Sequence, residues 1–201
     1  MLAAGNFRQS GLQQLANGTD IQGSEFSAWS GLIKGTIHLD ADETVRLSYQ
    51  KWNSDADDQD YAQTGTIPND NPQNFGLIDR TVDDQTAIIA YENTAEDNDM
   101  LDLKVQLSYS TTDVSQENPT SAVPSNIFVA DYGYATTQLN VSNTSEFAGE
   151  SWENFLTYGF QASNQVRTAE PASGGLIPTH PEGTSASLGV FTQSELTLNG
   201  A

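Results

Sequence analysis

Apolar and polar residues alternate along 31–52, with a short acidic interruption at 40–43. A period of two residues is typical of β-strands that have one apolar and one polar face. The stretch therefore predicts a β-hairpin that turns at 40–43. The residues assigned to its apolar face are Ile33, Gly35, Ile37, Leu39, Val45, Leu47 and Tyr49.

The same arrangement occurs twice more, around polar segments at 91–100 and 146–151. Further strands are predicted at about 85–93, 101–112, 132–143, 152–168 and 185–198, and a weak first strand ends near Leu15. Long polar loops are predicted at 53–84, 113–131 and 169–184. Short turns at one end and long loops at the other predict the wall of an all-β, antiparallel transmembrane β-barrel with about eight strands. Trp29 and Trp52, near the open end of the first hairpin, are predicted to belong to an interfacial aromatic girdle.

Composition narrows the classes of function. The formal net charge of -20 argues against a nucleic-acid partner, because phosphate is repelled by such a surface. The absence of cysteine excludes disulfides and thiolate metal sites. Residues 55–66 lack the glycine and glutamate of an EF-hand loop, so no defined metal site is predicted, while loose calcium binding by the clustered carboxylates stays open beside a simply solvated acidic loop. No nucleophile elbow or phosphate-binding loop is present, so no enzyme is predicted.

Three short motifs carry a resemblance to a known family. They are LIKG at 32–35 with TVRLSY at 44–49, NTSEF at 143–147 with LTYG at 156–159, and GVFTQSE at 189–195. In this order and spacing they resemble two hairpins and a strand of TonB-dependent outer-membrane receptors, most closely the haem and haemoglobin branch.

The resemblance implies a roughly 22-stranded barrel that imports an iron source such as haem or a ferric siderophore. Its expected partners are outer-membrane lipid, the ligand, and the energy-transducing TonB complex through an N-terminal plug. Residues 1–201 would form a partial barrel domain of a multi-pass protein in the outer membrane of a Gram-negative cell. No signal peptide opens the chain, so it is interpreted as an internal fragment. No resident cofactor is predicted.

Candidate site residues follow from this interpretation. His180, Asp57, Asp58 and Tyr61 are predicted to bind ligand on the outer loops, where a neutral imidazole could ligate haem iron. His38 is assigned a structural hydrogen bond near a turn. The polar face is predicted to line the lumen through Lys34, Arg46, Asp102, Lys104, Gln138 and Gln193.

Two alternatives remain open at this stage. The alternating strands would also suit a soluble extracellular β-sandwich that binds or adheres, in which the apolar residues meet between two sheets. Eight strands also suffice for a complete small outer-membrane barrel. The position of the apolar face and the closure of the sheet distinguish the three architectures.

Overall fold

A computed structural model describes residues 1–21, 23–60, 77–95, 97–117, 129–172, 174, 177 and 180–198. This part of the chain is all-β. None of its residues form a helix long and apolar enough to cross a membrane. The strands are β1 (Leu2–Ser10), β2 (Gln13–Gln14), β3 (Asp20–Ile21), β4 (Phe26–His38), β5 (Glu43–Asp60), β6 (Leu77–Thr94), β7 (Asp102–Glu117), β8 (Ala130–Gly149), β9 (Trp152–Pro171) and β10 (Gly183–Leu198).

Eight of these strands form one antiparallel sheet in the order β1-β4-β5-β6-β7-β8-β9-β10. The short strands β2 and β3 form a separate two-stranded ribbon, which the sequence pattern did not predict. Strands β1 and β10 lie at the two edges of the sheet and do not pair with each other. The sheet is therefore open, as predicted for part of a larger barrel wall, and the alternative of a complete eight-stranded barrel is wrong for this chain.

The strands extend further than the pattern predicted. Residues 53–60 and 77–84 were assigned to a polar loop but belong to β5 and β6. Likewise β7 and β8 continue into the loop predicted at 113–131, and β1 already begins at Leu2. These extensions carry polar residues on both faces, so alternation is absent, and pairing with the neighbouring strand holds them in the sheet.

The register fixes which side chains share a face. One continuous row runs through Ile33, Tyr49, Ala87, Tyr109 and Thr137 and on to Asn164 and Ala186. Because partners in a row point to the same side, the predicted apolar residues of the first hairpin do lie on one face. We call this the apolar face and the other the polar face.

No second sheet packs on the apolar face in the described part of the chain. Ile33 is 51% exposed and Leu188 is 73% exposed, whereas the inner residues of a sandwich would be buried. The few buried hydrophobic side chains are small or lie near the loop end of the sheet, such as Ile78 and Tyr132. The sandwich interpretation is therefore wrong, because its core does not exist here.

The hairpin turns shift steadily along the strands. The turns centre at 41, 98 and 150–151, so they lie eight residues beyond Ile33, eleven beyond Ala87 and thirteen to fourteen beyond Thr137 in the same row. A residue rises by about 3.4 Å along a strand, and neighbouring strands lie about 4.8 Å apart. If the turns lie at one level, parallel to a membrane surface, this shift means that the strands make an angle of roughly 45° with the normal to that surface. Strands of membrane barrels are inclined by about 35–45°.

Candidate functional site

A band of large apolar side chains crosses the apolar face and follows the inclination of the strands. On β4 it extends from Trp29 to Ile37, on β7 from Tyr109 to Leu103, and on β10 from Leu188 to Leu198. Relative to the row through Ile33, the band therefore begins four residues earlier on β4, at the row on β7, and two residues later on β10. The band shifts in the same direction as the turns. Once the strands are inclined so that the turns lie at one height, the band therefore lies at one height as well.

Aromatic residues mark the limits of this band. Phe7 pairs with Trp29 near the loop end, and Trp152 pairs with Gly149 at the third turn. Trp29 and Trp152 are 42% and 40% exposed. The predicted girdle position of Trp52 is wrong, because Trp52 pairs with Ser30 on the polar face. Trp52 is three residues from Tyr49 in the same strand. Side chains an odd number of residues apart point to opposite faces, so Trp52 lies on the face opposite Tyr49.

The residues predicted to line the lumen share the polar face. Lys34 and Gln138 occupy one row, and Asp102, Lys104 and Gln193 lie closer to the turns. Arg46 of β5 forms an ion pair with Glu92 of the neighbouring strand β6. The Nζ atom of Lys104 lies 3.4 Å from Asp102 Oδ2 in the same strand, β7. Thr144 and Thr157 share a hydrogen bond of 2.9 Å on the same face. This face is a polar surface with charges of both signs.

His38 fulfils its predicted structural role on the polar face. Its Nδ1 atom lies 3.1 Å from Thr44 Oγ1, the residue with which it pairs across the first turn. The hydrogen bond links the two strands where the hairpin closes.

Asp57 and Asp58 lie in strand β5 and not in an outer loop, which corrects their predicted placement. The register shifts between Ala56 and Gln59, so the two aspartates form a β-bulge opposite Asp79. Asp58 has a φ of 53°, and its N–H donates to Asp79 Oδ1 at 2.8 Å. Aspartate tolerates this left-handed backbone better than bulkier residues do. The bulge with both aspartates lies near the loop end of β5. The fourth predicted ligand residue, Tyr61, lies outside the described residues.

His180 packs at the loop end of the polar face. Its ring centroid lies 4.7 Å from that of Tyr132. Tyr132 belongs to a small buried cluster with Ala130, Ala169 and Ile177, and the N–H of Ala169 donates to Glu182 Oε1 at 3.2 Å. The described residues Ile177, His180 and Glu182 of the β9–β10 connection therefore pack against the polar face. His180, in the β9–β10 connection, and the Asp57–Asp58 bulge, in β5, both lie at the loop end, and no contact between them is present among the described residues.

No group of three or more histidine or carboxylate side chains in the described ranges could hold a metal ion. The sequence reasoning did not single out Lys51, which is the one lysine or arginine on the apolar face. All seven cationic residues lie in described strands, and the other six face the polar side. The sequence contains this information, because Lys51 is two residues from Tyr49 and residues two apart in a strand share a face.

A single open sheet, an exposed apolar band, inclined strands, and short turns opposite long connections together define a segment of a membrane β-barrel wall. No protein-family model and no curated protein matches the sequence. Solved structures do resemble it. A double mutant of the Serratia marcescens hemophore receptor HasR, in complex with its hemophore HasA and heme, matches with a TM-score of 0.77 and 19% identity, covering 98% of this chain and 27% of that one.

The copper transporter OprC matches with a TM-score of 0.62 and 15% identity, over 99% of this chain and 30% of that one. Both neighbours are TonB-dependent receptors, so this chain has the fold of part of a TonB-dependent receptor barrel. The chain spans less than a third of the length of either neighbour.

Proposed function

We propose that this chain is a section of the barrel of an outer-membrane TonB-dependent receptor that imports an iron source such as haem or a ferric siderophore. The observation that carries the proposal is the inclined apolar band on one exposed face of an open sheet. An apolar surface of this extent needs a covering, and lipid is the covering that also explains the inclination and the flanking aromatic residues.

In this proposal the apolar face contacts lipid and the polar face lines the interior. Lys34, Arg46, Asp102, Lys104, Gln138 and Gln193 then contact interior water or the plug, through which the TonB complex would supply energy. The ion pairs and hydrogen bonds of the polar face support this assignment, since such groups are costly in hydrocarbon. The chain acts in binding and transport and not as an enzyme.

Site-directed spin labelling tests the assignment of the two faces. Single cysteines replace Leu103, Val105, Lys104 or Gln106 in the protein that carries this chain, reconstituted in lipid vesicles. We expect labels at 103 and 105 to collide mainly with oxygen dissolved in the bilayer, and labels at 104 and 106 with a water-soluble nickel chelate. The sheet itself supplies the control, because the four positions are consecutive in β7. Equal accessibility at all four positions would refute the proposal.

The ligand is proposed to bind at the loop end of the polar face, where His180, Asp57 and Asp58 are candidates. Tyr61, outside the described residues, is a fourth candidate from its place in the sequence directly after β5. His180 is the strongest of the four for haem, because an imidazole nitrogen is a common axial ligand of haem iron. The contact with the tilted ring of Tyr132 supports this role by restricting the orientation of the imidazole. Of the solved structures that resemble the chain, one is a hemophore receptor in complex with its hemophore and heme and another is a copper transporter, so a metal-containing ligand is favoured as a class.

Haem titration of the purified protein tests the role of His180. We expect His180→Ala to weaken haem binding by at least the roughly 10- to 100-fold that loss of an outer-shell partner costs at metal sites, and to change the Soret absorption band. His38→Ala is the matched control, because His38 lies at the turn end of the same face. Unchanged affinity and an unchanged Soret band in the His180 variant would exclude His180 as a ligand.

A further inference from the structure

Charge is sorted between the two faces at the loop end of the sheet. In the strand segments on the loop side of the row through Ile33, seven carboxylates lie on the side of the apolar face, at Asp55, Asp79, Asp83, Asp113, Glu117, Asp131 and Glu170. Among the regularly paired residues of the same segments, which leave out the bulged Asp57 and Asp58, Asp84 is the one carboxylate on the polar face, and Thr112 Oγ1 donates to it. The pleat therefore directs most of the negative charge of these segments away from the polar face.

Arginines have the opposite distribution. Arg8, Arg80 and Arg167 all lie on the polar face of these segments. On the regularly paired strands, three arginines thus accompany one carboxylate, in a chain that carries 27 acidic and 7 basic residues. A surface lined mainly by one sign of charge attracts ions of the other sign. The loop end of the polar face therefore favours an anionic ligand.

Arg167 is held by a neutral partner. Its Cζ atom lies 5.0 Å from the centre of the Tyr134 ring, and its Nη2 atom lies 3.4 Å from Tyr134 Oη. The ion pairs of the described residues involve Arg46, Lys51 and Lys104, so Arg167 pairs with no carboxylate in this part of the chain. A guanidinium group has five N–H donors. The contact with Tyr134 therefore orients the group and leaves most of its donors available to an anion.

Arg80 is held by a neutral partner as well. The Gln116 side chain, which is 8% exposed, belongs to the residue that pairs with Arg80 across β6 and β7. In the amide orientation that satisfies both residues, the Gln116 amide oxygen accepts from Arg80 Nε and Nη2, each at 3.0 Å. An amide fixes the plane of the guanidinium group without neutralising its charge. Both arginines are therefore oriented in advance for a charged acceptor.

The two arginines lie on either side of the His180 contact along the strand direction. His180 packs on Tyr132, and Tyr132 shares a row of the polar face with Ala169. Arg167 lies two residues from this row toward the turns. Arg80 lies two residues from the same row toward the loop end. A ligand bound at His180 therefore has an arginine on each side.

We propose that the ligand of this site is an anionic iron compound, and that Arg167 and Arg80 bind its carboxylate groups on the two sides of His180. A planar guanidinium group binds a carboxylate through two parallel hydrogen bonds, which suits arginine to this role better than lysine. The two propionate groups of haem and the carboxylates of a ferric siderophore share this chemistry. The inference rests on the proposed function, since it specifies the ligand of the same site.

Titration with esterified haem tests the carboxylate contacts. The protein that carries this chain is purified in detergent and titrated with ferric haem and with its dimethyl ester, whose propionate groups carry no charge. We expect Arg167→Gln and Arg80→Gln each to weaken haem binding by about tenfold, the lower end of the range for hydrogen bonds to charged groups. Neither variant should change the affinity for the ester or the Soret band, because His180 is retained. Equal weakening for haem and for its ester would overturn the inference.

Ferric citrate and a neutral ferric trihydroxamate distinguish the two sources of carboxylate. A site for a carboxylate siderophore should bind ferric citrate and lose about tenfold in affinity with either arginine variant, whereas a site for haem should not bind ferric citrate. Binding of the trihydroxamate alone would overturn the inference. Lys34→Gln is the matched control, because it removes a cation from the middle of the polar face, and it should leave every affinity unchanged. A loss with Lys34→Gln as large as that with the arginine variants would attribute the effect to general electrostatics and overturn the assignment.

Further outcomes separate this inference from the proposed function. Arginine variants that lower the free energy of unfolding but bind every compound normally would show that the arginines pair inside the receptor, which would overturn the inference alone. Unchanged affinity of both arginine variants for an anionic compound that does bind would have the same meaning. If the protein binds none of the four compounds, or if the spin label at 105 is not exposed to lipid, the proposed function fails and the inference fails with it.

Discussion

Leu107→Arg is expected to destabilise the protein in a bilayer by about 2–4 kcal/mol, the cost of arginine near the midplane on the lipid face of a barrel. Leu107 is 44% exposed and lies within the apolar band on β7, so arginine meets no steric obstacle there. The expected loss arises from moving a guanidinium group from water into hydrocarbon. Denaturant unfolding of the protein that carries this chain, folded into lipid vesicles, measures it.

Ser108→Arg is the matched control for this substitution. Ser108 is the next residue of β7, and it pairs with Ile88 and Gln138 on the polar face. We expect the free energy of unfolding of the Ser108→Arg variant to differ from that of the unaltered protein by no more than about 0.5 kcal/mol, as is usual for surface substitutions. Equal destabilisation by the two arginines would contradict the assignment of lipid to one face only.

Gly159→Ala is expected to cost about 1–3 kcal/mol, the range for adding a methyl group where no space exists. A Cβ atom at this position would collide with the carbonyl oxygen of Val141, and would lie 2.9 Å from Phe191 Cζ and 2.9 Å from Ser142 Cα. Backbone atoms cannot move aside as a flexible side chain can, so β8 and β9 would have to separate. The same unfolding measurement in vesicles gives the loss.

Gly189→Ala provides the comparison, because Gly189 lies on the neighbouring strand β10 and has no atom within 4 Å of its Cβ position. Alanine restricts the unfolded chain at such a site, so stability should be unchanged or rise by up to about 1 kcal/mol. A loss at Gly189 equal to that at Gly159 would show that the close approach of β8 and Phe191 does not determine the effect.

Alternation predicted the number of main strands and, with the exception of Trp52, the faces of the large apolar residues in them, because period two follows directly from the pleat. The limits of the strands were wrong where both faces meet water. In 53–60 and 77–84 the strands persist through pairing and through polar bonds such as that from Thr81 Oγ1 to Asp55 Oδ1 at 2.9 Å. Strand β1 was also poorly predicted, since its conformation is set by β4 and not by its own composition.

The candidate site was less predictable than the fold. The parity of Lys34 and Arg46 could be read from the alternation, and the structure places both on the polar face. The register shift at Asp57 and Asp58 could not be read, because a bulge inserts a residue without a fixed motif. The packing of His180 on Tyr132 joins positions far apart in the sequence, and such a contact follows only from the complete sheet. Lys51 is exceptional as a cationic residue on the apolar face, which is recognised only when the faces of all seven cationic residues are compared.

In the proposed membrane location, the inclined band also defines a preferred membrane thickness. On β10 it extends over the residues from Leu188 to Leu198, which is about 34 Å along the strand and about 24 Å perpendicular to the bilayer at an inclination of roughly 45°. An average bilayer has a hydrocarbon core of about 30 Å, and the bacterial outer membrane is thinner. Hydrophobic mismatch would therefore force thicker bilayers to thin around this protein, at a cost of a fraction of a kcal/mol for each Å. The height of the band suits the protein to a thin membrane and disfavours its insertion into a thick one.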